Sequence, residues 1–96
     1  MKFRILYSPR SRRDLEKIRD YIASQSASPV TADRFLDQLL DACGALSTLP
    51  FRFALYPYAK RWRMMPLGNY LVFFKIQKGE VRIGHVRHAA KRPFTH

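Results

Sequence analysis

The stretch "RMMPLGNYLVFFKI", residues 63–76, contains the pattern that decides the fold. Residues 70–76 are apolar at almost every position, and such a run is typical of a strand that is buried on both faces. Gly68 and Asn69 before it favour a tight hairpin turn. Residues 60–67 predict the preceding strand, which Pro66 places near a sheet edge. The stretch therefore predicts a hairpin whose second strand is central in a sheet.

The sequence on either side predicts three further strands. Residues 78–79, a Lys-Gly pair, mark another tight turn, and residues 81–88 begin with the apolar–polar alternation of a last strand. Upstream, "FRFALY" (51–56) predicts a short strand between two prolines. Near the start of the chain, "KFRILY" (2–7) alternates in the same way and predicts the first strand.

Two helices are predicted between the first strand and the rest of the sheet. Ser8-Pro9 and Ser28-Pro29 each combine a favoured N-cap residue with a proline suited to the first helical turn. The second helix is expected to end near Leu49-Pro50, because proline disfavours helix in the residue before it. Apolar residues recur at helical spacing in both segments: Leu15, Ile18 and Ile22 in the first, and Phe35, Leu36, Leu39, Leu40, Cys43 and Leu46 in the second.

The order of these elements predicts an α+β fold. It comprises an N-terminal strand, a two-helix hairpin and then a mostly antiparallel four-stranded meander, with the helices packed on one face of the sheet. A chain of 96 residues is long enough for one domain and too short for two, so residues 1–96 are expected to form one domain.

The charge of the chain is strongly positive and unevenly distributed. Lysine and arginine number 18 against seven acidic residues, a net charge of +11. From Pro50 onward there are ten basic residues and one acidic residue, Glu80. Such segregation is expected of a surface that meets a polyanion or an acidic protein.

Several classes of site are excluded by composition. The single cysteine, Cys43, allows neither an internal disulfide nor a cysteine-based zinc site, and its place on the apolar helix stripe indicates a small buried hydrophobe. Three histidines without clustered carboxylates do not form a metal-binding pattern, and no glycine-rich phosphate loop is present. We therefore expect no cofactor and no metal. No run of signal-peptide or membrane-spanning length appears, so a cytoplasmic protein is expected.

Four local patterns, in order along nearly the whole chain, resemble the RelE/ParE superfamily of bacterial toxins, and its ParE branch most closely. They are "YSPRSRRDLEKIRDYIA" (7–23), "LSTLP" (46–50), "RMMPLGNYLVFFKI" (63–76) and "VRIGHVRH" (81–88). The ending departs from the family's usual His-Gly-x-Arg-Asp, because Arg92 stands where an acid is common.

The resemblance implies the toxin component of a type II toxin–antitoxin system. A ParE-like toxin binds and poisons DNA gyrase, is not itself a hydrolase, and is neutralised by a small acidic antitoxin in a hetero-oligomeric complex. A RelE-like toxin is instead a ribosome-dependent mRNA endoribonuclease. A third interpretation, from the charge alone, is a non-toxic nucleic-acid-binding module.

Basic residues in the second half of the chain are the candidates for binding the target or the antitoxin. For the endoribonuclease alternative the catalytic candidates are Arg63, Arg87 and His88, since cleavage needs a proton acceptor and cations around the phosphate. Strand alternation does not select a face for residues 81–88, because both sides mix apolar and polar groups. The full candidate set is Lys60, Arg61, Arg63, Arg82, Arg87, His88, Lys91 and Arg92.

Aromatic residues are interleaved with the first of these cations. Tyr56, Tyr58 and Trp62 could form a stacking surface for unpaired bases. Alternatively, they cover the core beneath short strands, which is the interpretation we favour. Phe94, near the end of the chain, can stack but cannot transfer a proton.

Overall fold

The computed structural model describes residues 2–26 and 28–95. Strand β1 (Arg4–Tyr7) leads into helix α1 (Pro9–Gln25), and helix α2 (Pro29–Gly44) follows. After α2 the chain makes two short 3₁₀ turns (Ala45–Ser47 and Pro50–Arg52) and then forms strands β2 (Arg63–Leu67), β3 (Tyr70–Gln77) and β4 (Glu80–His88). The predicted α+β fold, with its first strand, its helical hairpin and its later strands, is confirmed.

The four strands form one sheet in the order β1-β4-β3-β2. β3 lies between β4 and β2, the central position that its continuous apolar sequence predicts, and it is antiparallel to both. β1 pairs in parallel with β4. The turn between β3 and β4 has positive φ at both central residues, Lys78 (49°) and Gly79 (75°), which is the backbone twist that suits a two-residue hairpin.

The strand predicted over residues 51–56 does not form. Residues 50–52 make a 3₁₀ turn instead, and Leu55 makes only an isolated bridge with Arg63. The segment then folds back on itself, since the N–H of Tyr56 donates to the carbonyl of Trp62 at 2.8 Å. Alternation alone does not make a strand, because a strand needs a partner with which its backbone can pair over several residues.

Both helices begin where their Ser-Pro pairs predict. The Ser8 hydroxyl oxygen accepts from the N–H of Ser11 at 3.0 Å, and the Ser28 oxygen accepts from the N–H of Val30 at 3.3 Å. Helix α2 ends at Gly44, five residues before the predicted end near Leu49, because the backbone tightens into a 3₁₀ turn there. Leu49 itself has a left-handed backbone, with φ of 50°.

The two faces of the sheet are covered by different parts of the chain. On one face, which we call the helix face, the helices pack on the strands through a buried apolar core made of Leu15, Ile18, Leu39, Cys43, Leu46, Met65, Val72, Phe74, Val81, Ile83 and Val86. On the other, the helix-free face, the segment before β2 and the tail after β4 cover the strands. The buried cluster on that face consists of Tyr56, Ala59, Phe73 and Phe94, with Trp62, Met64 and Leu71 beside it.

Candidate functional site

A β-bulge in β4 determines where its polar side chains point. Phe73 of β3 pairs with His85, whereas the next residue, Phe74, pairs with Ile83, so Gly84 is an extra residue in β4. A bulge of this kind reverses the alternation of side chains on the bulged strand. Simple parity therefore fails in β4, and this is why alternation could not select a face.

Because of the bulge, the buried aliphatic side chains of β4 lie on one face of the sheet and its two arginines lie on the other. Val81, Ile83 and Val86 are all buried on the helix face. Arg82 and Arg87 both lie on the helix-free face. They are an odd number of positions apart, so in a regular strand they would point to opposite faces. The bulge therefore collects two predicted site residues on one side of the sheet.

A groove of about 500 Å³ lies between α1 and the end of β4. Its apolar lining comes from Ile18, Tyr21, Tyr70 and Val86, and Tyr21 is 60% exposed. The charged groups around it are Lys17, Arg87 and Lys91, with Asp14 as the acid among them, and His88 also lines it. Asp14 is already engaged, since its Oδ2 accepts from the backbone N–H of Val86 at 2.9 Å. The groove thus combines an apolar lining with an excess of positive charge.

His88 is half-buried in this groove. Its Nδ1 accepts from the backbone N–H of Ala90 at 3.0 Å, and its ring lies edge-on to Tyr70 with centroids 5.2 Å apart. Through this hydrogen bond His88 holds the turn after β4.

Arg87 attaches the C-terminal tail to the helix-free face. Its Nη2 donates to the carbonyl of Arg92 at 2.8 Å, and its guanidinium lies 4.9 Å from the ring centre of Phe94. Phe94 is buried there, stacked on Tyr56 at 4.9 Å. Lys91 and Arg92 are exposed on this tail. The basic end of the chain is therefore held by its own side chains.

Arg63 has a structural role that its sequence position did not reveal. Its Nη1 donates to the carbonyl of Phe53 at 2.8 Å, and its guanidinium lies 5.1 Å from the ring centre of Phe51. It is half-buried and holds the segment before β2 against the strand, so it is not a solvated strand residue.

The three catalytic candidates do not come together. Arg63 pairs with Phe74 and His88 pairs with Tyr70, positions four residues apart on β3. At about 3.3 Å per residue this separates them by about 13 Å along the strand alone. Arg87 lies on the opposite face of the sheet from His88.

Three other cations, Arg61, Lys75 and Arg82, gather around Trp62 on the helix-free face. Arg63 pairs with Phe74, so its side chain lies on the helix face at the edge of the sheet. Two adjoining depressions share Lys75 and Gln77; Arg61 and Arg63 line one, and Arg82 lines the other. The Nζ of Lys75 lies 4.3 Å above the Trp62 ring. Burial and the neighbouring Arg61 lower the pKa of Lys75. Lys60 is exposed in the turn that leads to this region.

Lys75 is the residue that sequence reasoning missed. Its signal was available, because it is a charged residue interrupting the apolar run of the central strand. The aromatic side chains follow the favoured interpretation: Tyr56 and Trp62 pack on the helix-free face, while Tyr58 is 57% exposed.

Over residues 2–26 and 28–95, neither helix is long and apolar enough to cross a membrane. The same residues contain no group of three or more His, Cys, Asp or Glu side chains placed to hold a metal ion.

The fold is similar to that of chains in two solved structures of toxin–antitoxin systems. It superposes with a TM-score of 0.80 on a chain of the chromosomal ParDE system from P. aeruginosa, at 16% identity, covering 91% of this chain and 96% of that one. A chain of the RelBE2 toxin–antitoxin complex from Mycobacterium tuberculosis gives a TM-score of 0.67 at 22% identity, covering 92% of this chain and 99% of that one.

A search of curated protein sequences found no match. The family model described as the ParE toxin of the type II toxin–antitoxin system parDE matches residues 5–93. The chain therefore belongs to the ParE family of type II toxins, and the branch of the superfamily predicted from its sequence is confirmed.

Proposed function

We propose that this toxin inhibits DNA gyrase and that a small acidic antitoxin neutralises it in a cytoplasmic hetero-oligomer. Membership of the ParE family supports gyrase as the target. The placement of Arg63, Arg87 and His88 argues against mRNA cleavage, because the proton-transfer and charge-stabilising groups of such an enzyme must act on the same few atoms.

The observation that carries the antitoxin part of the proposal is the groove between α1 and β4. Tyr21, Ile18 and Tyr70 offer apolar and aromatic surface, and Lys17 and Lys91 place positive charge beside it. An amphipathic segment with acidic residues along its edges complements both features. The net charge of +11 would also accelerate its association.

The predicted site residues divide between two surfaces in this proposal. His88 and Lys91 border the groove and would contact the antitoxin, whereas the guanidinium of Arg87 holds the tail on the helix-free face. Lys60, Arg61 and Arg82 lie away from it and remain available to the target, as does Arg92 on the tail. Arg63 also lies away from the groove, but it holds the segment before β2.

Two assays test the target. Purified toxin is added to a gyrase supercoiling reaction and, in parallel, to a translating extract whose mRNA is analysed by primer extension. We expect supercoiling to be inhibited while the mRNA stays intact. Codon-positioned cuts in the mRNA together with unaffected supercoiling would overturn the proposal in favour of a RelE-like interferase.

The antitoxin site is tested by rescue. A short neighbouring reading frame that encodes an acidic protein is co-expressed with the toxin, and growth is measured. Tyr21→Glu places a negative charge in the groove, where it would repel an acidic antitoxin, and Tyr21 is exposed, so the fold should tolerate the change. We therefore expect toxicity to persist and rescue by the antitoxin to be lost. Tyr58→Glu is the matched control, since Tyr58 is equally exposed on the other face. Equal rescue of both variants would exclude the groove.

A further inference from the structure

We propose that Arg61, Lys75 and Arg82, gathered around Trp62 on the helix-free face, form a binding site for the phosphodiester groups of a nucleic-acid backbone. The site lies on the opposite side of the sheet from the antitoxin groove. The inference does not depend on gyrase being the target, since binding is measured on the toxin alone.

The strand register places two of these cations side by side. Lys75 on β3 and Arg82 on β4 are direct partners in the antiparallel pair. Like charges directly opposite each other destabilise a sheet. Arg61 faces Lys75 from the segment before β2, across a depression that both residues line. The fold therefore brings together three cations whose mutual repulsion a bound anion would relieve.

The carboxylates near the site leave most of this charge unbalanced. Glu80 is bound to Arg82 at 2.8 Å and to Arg4 at 3.6 Å, which orients the Arg82 guanidinium. Among the residues that the structure describes, no carboxylate lies within ion-pair distance of Arg61 or Lys75. The lowered pKa of Lys75 has Arg61 as one of its causes, which agrees with this imbalance.

The chemistry of the two depressions favours phosphate over an acidic peptide. The charged side chains that line them are all cations, and the amide of Gln77 is shared between them. A polypeptide also needs apolar surface for its side chains, and the groove on the helix face offers more of it. A nucleic-acid backbone needs only regularly placed positive charge and hydrogen-bond donors.

The chain supplies its own reporter for the test. Trp62 is its single tryptophan, and Lys75 lies over its ring, so intrinsic fluorescence reports on this site directly. The full-length toxin is titrated with a labelled DNA duplex and with single-stranded RNA of equal length over a series of salt concentrations. Fluorescence anisotropy gives the affinity. Poly-glutamate serves as the competing acidic polypeptide.

We expect nucleic acid to change Trp62 fluorescence and Lys75→Gln to weaken binding roughly eightfold at 0.1 M salt, with the salt slope reduced by about one. Arg61→Gln should act in the same way. Arg34→Gln, which removes an exposed arginine from α2, is the matched control and should retain the slope. Preference for duplex DNA or for RNA identifies which backbone the site takes.

Three results would overturn the site: equal losses in Arg61→Gln and Arg34→Gln, an unchanged Trp62 signal at saturation, or tighter binding of poly-glutamate at this tryptophan than of either nucleic acid. Thermal melting of each variant, monitored by circular dichroism, excludes unfolding as the cause of a loss. A failure here leaves the supercoiling result unaffected, so the two proposals fail separately.

Discussion

Replacing Gly84 with alanine tests whether the bulge in β4 and the packing of Trp62 require a residue without a Cβ at position 84. A Cβ at Gly84 would lie far inside van der Waals contact of the Cη2 and Cζ3 atoms of Trp62. The indole has little freedom to move away, because His85 lies edge-on to it at 5.0 Å and Lys75 covers its ring. The backbone is held as well, since the Ser8 hydroxyl donates to the Gly84 carbonyl at 2.7 Å.

The expected cost follows from two opposing effects. Overpacking a filled site costs about 1–3 kcal/mol. Alanine lowers the conformational entropy of the unfolded chain, which returns about 0.5–1 kcal/mol. We therefore expect Gly84→Ala to lower the free energy of unfolding by roughly 1–2 kcal/mol, a decrease in Tm of about 4–16 °C for a domain of this size.

The assay is thermal and urea unfolding, monitored by circular dichroism and by Trp62 fluorescence. Gly44→Ala is the matched control, because a Cβ at Gly44 meets nothing within 4 Å and its backbone is helical. That variant should gain about 0.5–1 kcal/mol. If Gly84→Ala melts at or above the wild-type temperature with unchanged tryptophan emission, the proposed contact between the bulge and the indole is wrong.

Three further predictions concern groups that are buried or half-buried. Burial raises the pKa of Cys43 from 9.0 to about 11, so at pH 9 alkylation by iodoacetamide should be at least about fiftyfold slower in native than in unfolded protein. Because folding raises this pKa, the contribution of the Cys43 thiol to the free energy of unfolding should fall as pH rises from 9 to 11. Equal labelling rates would contradict both statements. Asp14→Ala removes the acceptor of the Val86 N–H and should lower the free energy of unfolding in urea by about 1–2 kcal/mol. Asp14→Asn keeps a carbonyl oxygen and should lose less stability, and identical losses in the two variants would refute the role of this hydrogen bond. Phe94→Ala should cost about 3–5 kcal/mol in urea unfolding and increase binding of a hydrophobic dye to the helix-free face. A variant as stable as the wild type would show that the tail does not hold that cluster together.

Several of these groups connect the fold to the proposed binding surfaces. Asp14 ties α1 to β4 beside the groove, and Arg87 ties the tail to the helix-free face. A toxin whose surfaces are held in this way presents preformed sites, so the toxin itself loses less conformational entropy when a partner binds.

Local features of the sequence determined most of the architecture. The Ser8-Pro9 and Ser28-Pro29 pairs start the helices, the Lys78-Gly79 turn closes a hairpin, and the apolar run 70–76 is the central strand. Each of these depends on residues within one turn of helix or one hairpin, so propensity and periodicity suffice to predict it. The separation of charge between the two halves was likewise visible without any structure.

Only the tertiary structure decided which side chains share a surface. The parallel pairing of β1 with β4, the missing strand at residues 51–56 and the extra residue at Gly84 all depend on partners distant in sequence. A single bulged residue reverses every side chain beyond it, so it places Arg87 with Arg82 and His88 with the groove. Such a change depends on backbone pairing with a neighbouring strand, which hydrophobic periodicity within one strand does not encode.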